Sequence, residues 1–198
     1  MGTTSLYLGT PGTGKSTLMR RHVDALIRRP EAPIFFVVDH GSRPGAPPLW
    51  ANIGPTFTDP RAWWRAPVPI ARFVGVPGPA VAQLAIDVGW SCYVDDEAEQ
   101  SIEDWKANPL REIVKRGHHL KNRAGETTEV AAMLASQRPC DLPPDVRGCF
   151  ARIYVGRLQS FTDARRVFEE SWIPNVRSPA EALEVLSRRA PGAFSLWP

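Results

Sequence analysis

The sequence predicts a three-layer α/β fold built on a mostly parallel sheet, and three observations carry that prediction. A strand-like run, a helical pattern and a second strand-like run follow one another within the first 40 residues, which describes a βαβ unit. The second run, Ile34-Phe35-Phe36-Val37-Val38, is continuously apolar, as suits a strand covered on both faces. Proline accounts for 20 of the 198 residues, twice the usual level of about 5%. Proline at that density shortens helices and excludes a long bundle or coiled coil.

Taken in order, Ser5-Leu6-Tyr7-Leu8 is a short apolar strand leading into a glycine loop. From Lys15 the spacing of Met19, Val23, Leu26 and Ile27 is helical, and Pro30 and Pro33 end the helix. The strand at 34–38 closes on Asp39-His40-Gly41. Residues 41–68 hold six prolines together with Trp50, Trp63 and Trp64. A connection that long within a compact domain is either a functional loop or packs through its own tryptophans, and packing is the favoured reading. Arg43, Arg61 and Arg65 leave partner contact open. Residues 70–74 read as a strand, 80–88 as a helix stopped by Gly89, and 90–94 as the next strand. Asn108 as N-cap, Pro109 at the first helical position, an apolar stripe of Leu110, Ile113 and Val114, and Gly117 beyond the end punctuate a further helix. Strands at 130–135 and 152–155, a helix at 163–172 and a last helix opened by the capping box Ser178-Pro179-Ala180-Glu181 complete the series. Leu183 and Leu186 face inward on that helix, with Arg188-Arg189 at its C-terminal end.

Composition bounds the class. With 43% hydrophobic and 23% charged residues, the chain is neither disordered nor collagen-like, and 1–198 reads as one domain. A chain this long buries about 70% of its unfolded surface, so it needs no metal or disulfide staple. Cys92, Cys140 and Cys149 cannot pair completely and match no zinc spacing; they read as buried small residues of a protein in a reducing compartment. No stretch approaches the ~20 apolar residues of a membrane span, and no signal-peptide core is present. Met1-Gly2 begins a myristoylation-like string, but Leu6 stands where Ser or Thr is wanted. The expectation is a soluble, cytosolic protein. A net charge of +3 neither demands nor excludes a nucleic-acid partner.

The most specific signal is Gly9-Thr10-Pro11-Gly12-Thr13-Gly14-Lys15-Ser16, followed by Thr17. It fits G-x-x-x-x-G-K-[ST] between a strand and a helix, the setting in which backbone N–H groups and a helix N-terminus converge on phosphate oxygens. Lys15 is the candidate for the β- and γ-phosphates of ATP, and Ser16 for Mg²⁺. A chance glycine turn is the bland alternative.

Tyr93-Val94-Asp95-Asp96-Glu97 puts carboxylates at the end of an apolar strand, where open α/β sheets bind ligands. Asp96, ahead of Asp95, is the candidate metal residue, and Glu97 the group that orients or deprotonates the attacking water. The competing reading is a solvated acidic turn, since 95–104 contains six carboxylates and no basic residue. Ser136-Gln137 ends another strand; its amide is a candidate sensor of the γ-phosphate or a strand-terminating turn before Pro139. His118 and His119 read as surface residues compensating a helix dipole. Residues 106–123 hold six basic residues against one acidic: a solvated face, a DNA-facing surface or a source of an arginine finger for a neighbouring subunit.

These strings together, with Lys115-Arg116-Gly117-His118-His119-Leu120 and above all Ala135-Ser136-Gln137-Arg138-Pro139-Cys140-Asp141-Leu142-Pro143-Pro144-Asp145-Val146-Arg147, resemble the FtsK/HerA superfamily of DNA-pumping ATPases. The resemblance covers residues 6–166. A core this small is similar to the genome-packaging ATPases of tailless, internal-membrane double-stranded DNA viruses and phages. The resemblance implies a RecA-like sheet, a hexameric ring with ATP and Mg²⁺ between subunits, and translocation of double-stranded DNA into a preformed capsid. It further implies capsid or portal-vertex partners and a place in the host cytoplasm or at the virion packaging vertex. Gln137 becomes the sensor, and Arg116, Arg123, Arg138 and Arg152 are eligible trans fingers, with Arg116 and Arg152 ranked first. The chain departs from the pattern in a longer, polar connection at 117–130. Competing readings are a filamentous-phage-type assembly ATPase, which commonly adds a membrane span, a small nucleoside or nucleotide kinase, and a nucleotide-gated structural subunit.

Overall fold

The computed structural model describes residues 3–41, 49–102 and 105–197. The start of the myristoylation-like string, Arg43 and three of the loop prolines, and the last two acidic residues of the 95–104 run lie outside the described residues. From the N-terminus come β1 (Ser5–Leu8), α1 (Lys15–Ile27), β2 (Ile34–Asp39), β3 (Thr56–Phe57), α2 (Pro60–Arg65), β4 (Ile70–Val74), α3 (Gly78–Val88) and β5 (Ser91–Asp95). They are followed by α4 (Pro109–Arg116), β6 (Leu120–Lys121), β7 (Thr127–Thr128), β8 (Val130–Ser136) and α5 (Pro144–Arg147). The chain closes with β9 (Arg152–Val155), α6 (Phe161–Glu169), α7 (Pro179–Ser187) and β10 (Ser195–Trp197).

Eight strands form one sheet in the order β10-β9-β1-β8-β5-β2-β4-β3. Every neighbouring pair is parallel except β9 with β10. This is the three-layer, mostly parallel α/β architecture expected from the sequence, although its layers are unequal. Tyr7, Phe35, Val37, Cys92, Val94, Met133 and Ala135 pack on one face against Met19 and Val23 of α1, with Trp50 and Ile53. The opposite face, through Leu6, Leu8, Phe36, Val38, Tyr93 and Leu134, packs under side chains of α2, α3, α4, α6 and α7. Both faces of the inner strands are therefore buried, which is why those strands read as unbroken apolar runs.

Local signals account for the helix ends. Asn108 Oδ1 accepts the Leu110 N–H at 2.9 Å, Pro109 follows it, and Leu110, Ile113 and Val114 are buried against the sheet. Ser178 Oγ accepts the Glu181 N–H at 3.2 Å. The return bond of that capping box runs from the Arg177 N–H to Glu181 Oε2, one residue before the cap. α6 starts at Phe161 and not at 163, because Ser160 caps it through the Asp163 N–H at 3.4 Å.

The connection at 41–68 carries structure that its prolines concealed. Asp59 caps α2 through the Arg61 N–H at 2.9 Å. Trp63 is buried edge-on to Phe36, 5.2 Å between ring centroids, and its indole donates to Val68 O at 3.1 Å. Trp50 is buried as well, whereas Trp64 is exposed. The polar stretch at 117–130 forms the β6–β7 hairpin. β10 is an edge strand that the tail composition did not announce. Cys92 is buried, but Cys140 and Cys149 are only partly so, which corrects the reading of all three as buried.

Ile113 lies fully buried between α4 and the sheet, so Ile113→Ala should lower stability by about 2–5 kcal/mol through lost apolar contact and the cavity left behind. Equilibrium denaturation checks this, and a cost under about 1 kcal/mol would mean that α4 does not pack as described.

Candidate functional site

β1 delivers the chain into the glycine loop at the C-terminal edge of the sheet. Gly12 and Gly14 take φ of 77° and 88°, left-handed values that only glycine adopts without strain. Gly9 is needed for space: a Cβ there would stand 2.8 Å from Thr13 Oγ1 and 3.3 Å from Arg157 O. The loop is held from outside by three backbone hydrogen bonds. Gly9 N donates to Ser136 O at 3.3 Å, Thr10 N to Arg157 O at 2.9 Å, and Gly192 N to Thr13 O at 2.8 Å. α1 has Gly14 at its N-cap and no side-chain cap, the setting in which the backbone N–H groups of a helix's first turn suit an anion. Lys15 is buried and bends back across the loop, with Nζ donating to Gly9 O at 2.5 Å and Thr10 O at 3.4 Å. Thr13 Oγ1 is buried without a hydrogen-bond partner. A cradle of backbone donors with a cation folded over it fits an anionic polyphosphate. Ser16 is half-buried in the first turn of α1, and Thr17 beside it is exposed.

The two adjacent aspartates at the end of β5 have different surroundings. Cys92 and Val94 face α1, so alternation turns Asp95 to the other face. There it is fully buried, and its oxygens accept from four donors: His40 Nε2 at 3.0 Å, the Glu97 N–H at 3.0 Å, Tyr93 OH at 2.8 Å and Ser101 Oγ at 2.5 Å. Burial works against the protonated form of His40, but the hydrogen bond to Asp95 and the charges of Asp95, Asp96 and Glu97 outweigh it and raise its pKa. Asp96 lies on the α1 side, where the indole of Trp50 donates to its Oδ2 at 2.9 Å. Burial pushes the Asp96 carboxyl up to about 6, against the lowering effect of that hydrogen bond and with the help of neighbouring carboxylates. Glu97 accepts from the Gln100 amide.

β8 stands between β1 and β5, with Leu8 beside Ser136 and Asp95 beside Leu134. Gln137 therefore follows the strand that separates the glycine loop from the acidic turn. Glu97 and Gln137 line one shallow depression with Glu99, Gln100, Arg138 and Asp141. Glu99 ties its two sides together, because its Oε1 accepts from Ser136 Oγ at 2.9 Å and from the Gln137 N–H.

The arginines divide by position. Arg152 opens β9 and pairs in register with Ser5, so it lies at the sheet edge opposite the glycine loop. Arg116 ends α4 at that same edge, where Gly117 O accepts the Val130 N–H that begins β8. It is 66% exposed and pairs loosely with Glu112 at 3.5 Å. Arg123 stacks over Trp64 at 5.6 Å. Arg138 is at the site edge, 3.4 Å from Asp163. The basic run is partly neutralised, since Arg111 and Lys115 both reach Asp145, at 3.1 and 2.8 Å. His118 and His119 are exposed.

Trp50, Glu99 and His40 were not singled out from the sequence. Trp50 lies 46 residues from Asp96 in a proline-rich segment, and Glu99 reads as one more charge in an acidic turn. Nothing local marks either; only folding brings their partners near.

Strand order, the glycine loop after β1 and the carboxylates after β5 define the RecA-like fold of P-loop NTPases. No protein-family model and no curated protein matches the sequence. Among solved structures, the chain is similar to the genome packaging NTPase B204 from Sulfolobus turreted icosahedral virus 2 in complex with AMPPCP. The TM-score is 0.71 at 17% identity, over 98% of this chain and 91% of that one. It is also similar to B204, the DNA-packaging ATPase from Sulfolobus turreted icosahedral virus, with a TM-score of 0.70, 15% identity and coverage of 99% and 93%. EccC from Thermomonospora curvata aligns at a TM-score of 0.56 and 14% identity, over 88% of this chain and 35% of that one.

In the folded protein Asp96 keeps its proton up to about pH 6, against an ordinary value of 3.8. The folded state thus binds more protons between those values, and stability falls as pH rises through that window. With chelator present, Asp96→Asn should therefore be more stable than wild type at pH 7 by about 1–3 kcal/mol, the gain fading below pH 4. Denaturation curves across pH test this; an Asn variant no more stable at neutral pH would mean that Asp96 is not strained by burial.

Proposed function

We propose that this protein is a Mg²⁺-dependent ATPase that drives double-stranded DNA into a preformed viral capsid as a homo-oligomeric, hexameric ring. The observation that carries the reading is that Glu97 and Gln137 line one depression at the ends of β5 and β8, β8 being the strand next to β1 and its glycine loop. A phosphate cradle alone serves many NTPases; a carboxylate and an amide at neighbouring strand ends supply what hydrolysis by water requires. Similarity over nearly the full length to B204, described as a genome packaging NTPase and DNA-packaging ATPase, supports the biological setting.

In this reading residues 9–17 take the triphosphate, and Lys15 exchanges the carbonyls of Gly9 and Thr10 for the β- and γ-phosphate oxygens. Thr13 Oγ1 gains a partner there. Ser16 and Asp96 would hold Mg²⁺, which when bound neutralises charge on the phosphate oxygens. Asp96 suits that role better than Asp95, whose oxygens are committed to four donors; a nearby cation also relieves the cost of keeping Asp96 ionised. Glu97 accepts a proton from water as the water oxygen bonds to the γ-phosphorus and the bond to the β–γ bridging oxygen breaks. Gln137 donates to the γ-phosphate or orients the water. Arg116 and Arg152, exposed at the far edge of the sheet, cannot serve their own site; a ring offers them to the neighbour's γ-phosphate. Assembly and packaging belong to the host cytoplasm and the capsid vertex, with capsid or portal proteins as partners. Among the described residues no helix is long and apolar enough to cross a membrane, whereas filamentous-phage-type assembly ATPases commonly have a span.

ATP turnover should rise on adding linear double-stranded DNA. Lys15→Ala should lose ATP binding, and Glu97→Gln should bind ATP while losing about 10²–10⁴-fold in turnover. Phosphoryl transfer to a nucleoside monophosphate without any effect of DNA, or unchanged hydrolysis by Glu97→Gln, would overturn the assignment.

A further inference from the structure

The chain beyond α7 lies against the glycine loop in a way that the roles above leave unused. The Arg189 guanidinium donates to Val155 O and to Ser195 Oγ, pinning the segment over the end of β9. Ala193 N donates to Ala190 O at 3.1 Å and closes a turn. β10 then pairs antiparallel with β9, Ser195 opposite Val155. Phe194 covers Gly156 so closely that a Cβ there would stand 2.8 Å from its ring and 3.2 Å from Leu8 O. At the tip of the turn the Gly192 N–H meets Thr13 O at 2.8 Å, and a Cβ on Gly14 would be 3.6 Å from Gly192 N.

The strand order supplies a direction. Gln137 follows β8, and Asp96 and Glu97 follow β5, both on one side of β1; β9 and β10 are on the other. A triphosphate in the glycine loop with its γ-end toward Glu97 and Gln137 must run its nucleoside toward β9 and β10. Pro191 and Gly192 are exposed there, beside half-buried Phe194. Arg157 is there too: its carbonyl accepts the Thr10 N–H at 2.9 Å and the Thr10 hydroxyl at 3.3 Å, while its Nε is buried without a hydrogen-bond partner.

We propose that the turn at 190–193, with Phe194 and Arg157, forms the nucleoside-side wall of the nucleotide site. The C-terminal segment thereby touches the base and ribose of the bound nucleoside triphosphate, so that the nucleoside side of the site comes from the same subunit as the glycine loop. The proline ring and the guanidinium plane are surfaces on which a base stacks. The proposal rests on the ATP-binding reading above and adds to it the source of nucleoside recognition.

Photolabelling of the full-length protein with 8-azido-ATP, whose reactive group is on the base, should place the label within residues 157 and 188–197. Label confined to other peptides would overturn the proposal. Gly192→Pro removes the N–H and cannot hold the φ of 82°. It should reduce the ratio of ATP to tripolyphosphate affinity by about tenfold. An unchanged ratio, whether both ligands keep their affinity or lose it equally, would show that the turn only props the loop and would overturn the proposal. A wild-type protein that binds neither ligand would overturn the ATP reading, and the wall with it.

Discussion

Parallel pairing of β1, β8 and β5 is the constraint on which the rest of the molecule depends. Parallel strands end at the same edge of a sheet, and the register sets Leu8 beside Ser136 and Leu134 beside Asp95. Whatever follows those strands is therefore gathered at one place, however far apart it is in the chain. The three strands are buried on both faces, so their polar chemistry is concentrated at their ends. The glycine loop with the N-terminus of α1 and the clustered carboxylates after β5 are then brought to the same edge of the sheet, on either side of β8, where open α/β sheets bind ligands.

The buried carboxylate of Asp95 shows how rigidity and reactivity are divided between neighbours. Its four donors come from the residue after β2, from β5, from the following turn and from the backbone of Glu97, so the polypeptide turns at Asp96 and Glu97 around a fixed point. Asp96, by contrast, has Trp50 as its polar side-chain contact and is raised in pKa by burial. A carboxylate whose ionised form is made costly by burial is one whose charge a nearby cation would stabilise. Glu99 plays the bridging part on the other side, coupling the acidic turn to the end of β8. Glu97 and Gln137, the two groups proposed for hydrolysis, thus stand on segments tied to one another through Glu99.

The charge distribution follows from the same layout. Acidic groups gather at the strand ends, while the basic residues of 106–123 lie just before α4, on α4 and on the hairpin behind it. Asp145 holds two of them, Arg111 and Lys115, in ion pairs, and at exposed positions such pairs add little stability. Arg116, of the same run, is left toward solvent with a loose pair to Glu112, and Arg152 of β9 is exposed at the same edge, away from the site.

Much of this was legible from residue order. The glycine loop needs its residues adjacent, the apolar runs mark doubly covered strands, and Asn108, Ser178 and Gly117 punctuate helices through bonds to near neighbours; all are local physics. The packed tryptophans of 41–68 were legible in outline, but β3 and α2 were hidden because proline obscures short elements. Missed were the bonds between segments far apart: Trp50 to Asp96, Glu99 to β8, His40 to Asp95, and the C-terminal turn against Thr13. Sequence alone determined which chemical groups the protein carries and the class of sheet that presents them. Only tertiary structure decided which aspartate is enclosed by four donors and which is left toward α1, and which distant segments lie against the glycine loop, because those outcomes depend on strand order and register, and neither is written in any local run of residues.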